Sequence, residues 1–291
     1  MLYEKIAIAI TALALAATLV NARDRRVMAR EPVRHTFSND KTLDIDDISG
    51  TIQVIGDDQR TIRVEGERVT RAEDQQGVDR AKREVVLDVN EKDGIAQLYV
   101  NAPGRHDHGE ENHGFHTHWD DHDYEVEYNF TVHVPRDTAL RLHNVNGEIK
   151  AEETRGKFDV TGVNGSVSMT NIAGYGDLHT VNGKVTVSFR ESPKQDCSFK
   201  TVNGAIDASF PPSLAADLRL KTMNGAAFTD FETTLAVPKT ADAVERSRGR
   251  FVYRADRAQN VRVGAGGPEL SFDTLNGTIR INKVQSPKET R

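Results

Sequence analysis

Six Asn-Gly pairs crowd the second half of this chain, at Asn146-Gly147, Asn164-Gly165, Asn182-Gly183, Asn203-Gly204, Asn224-Gly225 and Asn276-Gly277. The first five are spaced by 18, 18, 21 and 21 residues. An apolar residue precedes each Asn (Val145, Val163, Val181, Val202, Met223, Leu275), and another stands two places after each Gly (Ile149, Val167, Val185, Ile206, Ala227, Ile279). Each copy therefore reads as a turn followed by a strand whose alternate residues point inward. Gly156 and Gly174 lie nine residues beyond Gly147 and Gly165, so each period divides into two strands and two glycine-containing turns.

Two architectures satisfy this pattern. Asn-Gly between alternating strands is a strong signal for a two-residue hairpin, which leads to an antiparallel meander or β-sandwich. Equal spacing at a fixed phase is instead what an all-β solenoid, similar to a parallel β-helix, requires, because like must stack on like around a shared core. The 18–21-residue repeat favours the solenoid. In it the Asn and Gly residues are expected in equivalent turns, in the left-handed conformations both tolerate, with Asn amides bonded from one repeat to the next.

The rest of the chain extends this scheme and gives it ends. Short alternating strands are expected between Leu43 and Arg68, with Ser49-Gly50 in place of Asn-Gly, and again at Val85–Val89, Ile95–Val100 and Tyr124–Val134. The charged stretch from Ala72 to Glu84 suits a short helix despite Gly77. From Leu235 to Arg257 the period is broken by a polar, basic stretch expected as an exposed loop. This gives a solenoid domain over 43–283, a linker at 23–42 and a frayed tail at 284–291.

Lys5 precedes an apolar run from Ile6 to Val20, 15 residues long. A bilayer span needs roughly 20, so the run fits the core of a signal peptide, residues 1–22, cleaved after Ala22. If it is not cleaved, it is the chain's one membrane contact. The expected location is thus the periplasm or cell surface. A single cysteine rules out an intrachain disulfide or a multi-cysteine zinc site. Net charge of -6 with 6% aromatic residues opposes a nucleic-acid surface.

The segment TVHVPRDTALRLHNVNGEIKAEETRGKFDVTGVNGSVSMTNIAGYGDLHTVNGKVTVSF and the closing GAGGPELSFDTLNGTIRIN, together with the signal peptide, resemble the bacterial putative-adhesin domain family. The resemblance implies a repeat-built, β-helix-like domain of the cell envelope and a partner that is an envelope protein or glycan. It carries over no functional residue.

One segment departs from that pattern. Gly104 to Asp123, GRHDHGEENHGFHTHWDDHD, holds six of the ten histidines. His106, His108, His113, His116, His118 and His122, with Asp120 and Asp121, are the candidate metal ligands, since imidazole beside carboxylate suits Zn, Ni or Cu. The competing reading is a solvated polar insertion between two strands. Enzyme motifs are missing: there is no Gly-x-Ser-x-Gly, no His-Glu-x-x-His and no phosphate-binding loop. Cys197 reads as an inert thiol, and Asp159, Asp177 and Asp207 as acids at scattered phases. The expectation is therefore a non-catalytic protein of interaction or scaffolding. A periplasmic metal-binding or metal-sensing protein is the alternative, and a polysaccharide-cleaving enzyme comes third.

Overall fold

The computed structural model describes residues 27–38, 42–105, 123–236, 245–247, 250–252 and 258–284. Strands β1 (Val27–Ser38), β2 (Thr42–Asp57) and β3 (Thr61–Ala72) precede helix α1 (Gln75–Glu84), followed by β4 (Val86–Lys92), β5 (Ile95–Asn101) and β6 (Tyr124–Pro135). The first five Asn-Gly pairs are flanked by β7 (Ala139–Asn146) and β8 (Ile149–Glu152), β9 (Lys157–Asn164) and β10 (Val167–Ile172), β11 (Tyr175–Asn182) and β12 (Val185–Phe189), β13 (Cys197–Asn203) and β14 (Ile206–Phe210), and β15 (Ala216–Asn224) and β16 (Ala227–Thr229). Then come β17 (Thr233–Leu235), β18 (Glu245–Ser247), β19 (Arg250–Val252) and β20 (Gln259–Val263), and finally β21 (Glu269–Asn276) and β22 (Ile279–Lys283) around the sixth pair.

The two strands that flank one Asn-Gly do not pair with each other. Each pairs in parallel with its counterpart in another repeat, Asn on Asn: Asn146 with Asn164, Asn164 with Asn182, Asn182 with Asn203, Asn203 with Asn276, and Asn276 with Asn224. This removes the hairpin reading of Asn-Gly. The chain is all-β apart from α1 among the described residues, and its large sheet is mostly parallel and open.

We call the strand pair around one corner a rung. One run of strands is β4-β5-β2-β7-β9-β11-β13-β21-β15-β20-β17, and the other is β1-β3-β6-β2-β8-β10-β12-β14-β22-β16. The 16 residues of β2 belong to both, the first part in one and the second part in the other, with Ser49-Gly50 at the corner. Rung order departs from chain order at the end. The last repeat, β21–β22, lies between β13–β14 and β15–β16.

Alternate residues of both runs face one shared core. One column descends through Ile45, Leu142, Val160, Leu178, Phe199, Phe272 and Leu220, all buried. Phe199 stacks on Phe272 at 5.1 Å and Phe189 on Phe210 at 5.0 Å, with Phe189 edge-on to Phe199 at 6.2 Å. Parallel register brings identical or similar side chains into line, so aromatic rings from successive rungs meet face to face.

Antiparallel strands close the other end, where β6 bonds to β3 and β3 to β1. The helix expected from the charged stretch forms as α1. Asp74 caps it by accepting from the Gly77 N–H at 2.8 Å, and Val78 and Ala81 turn into the core. Three expectations are corrected. Residues 27–38, inside the stretch read as a linker, form β1, whose alternation is masked by Arg30, Glu31 and Arg34 on a strand bonded along one side only among the described residues. Leu43 to Arg68 makes two long strands rather than several short ones. The stretch read as a loop from Leu235 to Arg257 includes the end of β17 and the β18–β19 hairpin.

Candidate functional site

The eight predicted metal ligands, His106, His108, His113, His116, His118, His122, Asp120 and Asp121, lie outside the described residues, as do the signal segment and residues 285–291. What the fold fixes is the place from which the histidine-rich segment departs. β5 lies parallel to the first part of β2 and β6 parallel to its second part, so they form one more rung beneath it. In that rung, β5 ends at Asn101 and β6 begins at Tyr124, where Asn-Gly joins the two strands of other rungs.

Both ends of the segment are tied down. Arg105 is almost wholly buried, pairs with Asp46, donates to the Val100 carbonyl at 2.6 Å and lies 4.3 Å over the Tyr99 ring. Asp123 pairs with Arg80 of α1 at 3.0 Å, and the next residue, Tyr124, donates to Glu84 at 2.5 Å. Asp46 also accepts from His143 Nδ1 at 2.6 Å. Burial opposes the charge on Asp46, but the His143 hydrogen bond and the His143 and Arg105 charges together hold its carboxyl below the ordinary range.

Behind this pair sits Asp47, fully buried, accepting from the Ile48 N–H at 2.8 Å through Oδ1. Its Oδ2 has no hydrogen-bond partner among the described residues, and neither has Oδ1 of Asn144, the residue paired with it in the next rung. Burial pushes the Asp47 carboxyl up to about 8. This buried acid was not singled out from sequence, where it is one of four acids or apolar residues in Asp44-Ile45-Asp46-Asp47.

The repeated motif itself is consumed by stacking. Asn amides bond in one continuous line: Asn164 to Asn146 at 3.0 Å, Asn182 to Asn164 at 2.9 Å, Asn203 to Asn182 at 2.8 Å, and then Asn276 to Asn203 and Asn224 to Asn276, each at 2.7 Å. The glycines serve closeness more than handedness. A Cβ on Gly183 would lie 2.0 Å from the Gly165 carbonyl oxygen, and one on Gly204 would lie 1.9 Å from that of Gly183. Only Gly147, at φ 141°, and Gly50, at φ 131°, use positive φ at this corner, and none of the six asparagines does, contrary to the left-handed turns expected.

A second line was missed. Two residues before Asn, the inward position is polar: Thr180, Thr201, Thr274 and Thr222 donate to the carbonyls of Gly165, Gly183, Gly204 and Gly277 at 2.9–3.0 Å. Asn144 does the same toward Gly50 at 2.9 Å. The signal was a recurrent Thr-x-Asn-Gly. The apolar residue immediately before Asn, read as part of the pattern, varies: Val145 is buried, Val163, Val181 and Val202 are half-buried, and Met223 and Leu275 are 60% and 39% exposed.

No enzyme-like grouping emerges from the described residues, and none of their His, Cys, Asp and Glu side chains cluster in threes suited to a metal. Cys197 is buried, and that burial pushes its thiol up to about 11, away from the thiolate a nucleophile needs. Asp159 and Asp177 prove to share one phase: they are direct neighbours across rungs, with Arg141 paired to Asp159 on the other side. Asp207 belongs to the opposite run, beside Lys184. No helix among the described residues is long and apolar enough to cross a membrane.

No family model matches the chain, and no curated protein matches it. Among solved structures it is similar to a putative cell adhesion protein from Clostridium sporogenes, with 9% identity over 87% of this chain and 100% of that one, at a TM-score of 0.41. It is also similar to a putative adhesin from Bacteroides fragilis, with 10% identity over 87% of this chain and 97% of that one, at a TM-score of 0.34. A putative lipid binding protein from Parabacteroides distasonis shares 10% identity over 88% of this chain and 97% of that one, at a TM-score of 0.35.

Proposed function

We propose that the chain is a non-catalytic protein of the cell envelope, exported by its N-terminal segment, in which a parallel β-solenoid with 18–21-residue coils serves as an adhesin-like interaction or scaffold wall. The observation that carries this reading is the fate of the motif. Asn, Gly and Thr of every Thr-x-Asn-Gly copy bond to the adjoining rung, so the recurrent polar residues hold the stack together and none is left to do chemistry. Secreted chains with one cysteine lack disulfide cross-links, and a ladder of this kind supplies cohesion along the whole stack instead.

The test is cell fractionation of a bacterium producing the full chain, followed by binding of the purified protein to isolated envelope fractions. Envelope location with saturable binding to protein or glycan supports the proposal; a cytoplasmic chain or turnover of envelope glycans sinks it.

A second reading has its own support. The residues that flank the histidine-rich segment, Arg105 and Asp123, are both anchored in ion pairs. In this reading the segment binds Zn, Ni or Cu through His106, His108, His113, His116, His118 and His122 with Asp120 and Asp121. Calorimetric titration with each metal, on the full chain and on one lacking residues 106–122, decides it. Heat that disappears with the deletion supports the reading, and an absence of heat from the full chain ends it.

A further inference from the structure

The stack has an unequal pair of ends. At the β6 end the outermost strand, β1, carries Arg30, Glu31, Pro32 and Arg34, residues that discourage another strand from joining. At the opposite end β20 and β17 extend one run in antiparallel fashion beyond β15, whereas β16 bonds only to β22 among the described residues. β16 is Ala227-Phe228-Thr229, with neither charge nor proline. Four of the five large apolar side chains exposed among the described residues, Met223, Phe228, Leu235 and Leu275, belong to this end. Of these, Phe228 stands on β16 itself and is 58% exposed, the kind of large apolar side chain an interaction surface presents.

The hydrogen bonds of β16 settle which backbone groups face β22 and which face away from it. Ala226 accepts from the Ile279 N–H at 2.9 Å, and Asp230 donates to the Ile281 carbonyl at 3.0 Å. Alternation along the strand then directs Phe228 toward β22 and leaves the N–H and C=O of Ala227 and Thr229 facing outward.

We infer that β16 is a homodimer edge, pairing antiparallel with β16 of a second copy about a twofold axis through Phe228. Ala227 and Thr229 of one copy exchange both backbone bonds with Thr229 and Ala227 of the other, giving four bonds in all. Phe228 meets its own copy at the close, non-hydrogen-bonded position, on one face of the joined sheet. Twofold symmetry needs a segment that complements itself, and a three-residue strand centred on an exposed aromatic does so without opposing like charges, since Asp230 falls opposite Ala226. This inference stands apart from the proposed ligand or partner of the wall.

Sedimentation velocity of the full chain, with Phe228→Lys and Phe228→Cys, tests it. The native chain is expected to dimerise. Phe228→Lys, which places like charges opposite each other, weakens dimerisation by about tenfold or more. Phe228→Cys forms an intermolecular disulfide on mild oxidation, whereas Thr186→Cys, in the middle of the sheet, does not. A monomer at every concentration overturns the inference. So does a dimer indifferent to Phe228→Lys that yields no Phe228→Cys disulfide.

Discussion

Replacing Asp47 by Asn removes a buried acid without changing its shape, and the structure dictates both the sign and the pH dependence of the result. The Asp47 carboxyl moves from 3.8 to about 8 on burial. Between these values the folded chain holds a proton that the unfolded chain has released, so this group's contribution to stability falls as pH rises and is lowest above about 8. One pKa unit corresponds to about 1.4 kcal/mol, which makes the deficit about 4 kcal/mol at neutral pH. An Asn at this position keeps an oxygen for the Ile48 N–H and sets N–H donors where Oδ2 has no partner, near the unpartnered Asn144 oxygen. Urea unfolding of the native chain and Asp47→Asn across pH 4 to 8 measures the difference. The variant is expected to be the more stable by about 4 kcal/mol at neutral pH, with the gap closing toward pH 4. A gap independent of pH, or a native chain more stable than the variant at neutral pH, would show that Asp47 is charged and usefully paired, and the reasoning would be refuted.

Further consequences follow from the two ladders and the thiol. Gly183→Ala places a methyl group 2.0 Å from the Gly165 carbonyl oxygen, and relief means parting two rungs, so a loss of several kcal/mol in urea unfolding is expected, on the scale of overpacking and broken ladder bonds. Thr201→Val deletes a buried donor to the Gly183 carbonyl and is expected to cost about 1–3 kcal/mol, more than Asn182→Ala, whose two amide bonds lie in solvent; equal costs would contradict the burial argument. Cys197 is expected to resist alkylation at pH 8 in the folded chain and to react fully in denaturant, as mass spectrometry would register; rapid labelling of the native protein would contradict its burial and its raised pKa.

Much of the wall could be read from the sequence because Asn-Gly recurs at a fixed phase and local alternation names the inward residues. Of the six residues picked out two places after each Gly, Ile149, Val167, Val185, Ile206 and Ile279 are buried as expected, and Ala227, on the edge strand β16, is only half-buried. The polar line at Thr180, Thr201 and Thr274, buried, and Thr222, half-buried, was hidden because polar side chains turned inward contradict a hydrophobic pattern; only the carbonyl of the adjoining rung explains them. Asp47 and Arg105 escaped notice for a related reason, since their significance comes from partners and burial supplied by distant strands.

Repeat length and most of the inward apolar residues are local properties, and the sequence alone determined them. Which rung lies next to which was decided by the tertiary structure. Every copy offers the same backbone edge, so hydrogen bonding does not distinguish chain neighbours from distant repeats. The core does distinguish them. The last repeat presents Leu270, Phe272, Ile279 and Ile281, all fully buried, and such a rung needs apolar neighbours above and below. The 216–229 repeat brings only Ala227 and Thr229 to the same columns as Ile279 and Ile281, and loses less by standing at the end. The closing repeat therefore slips between its predecessors, with Phe272 against Phe199.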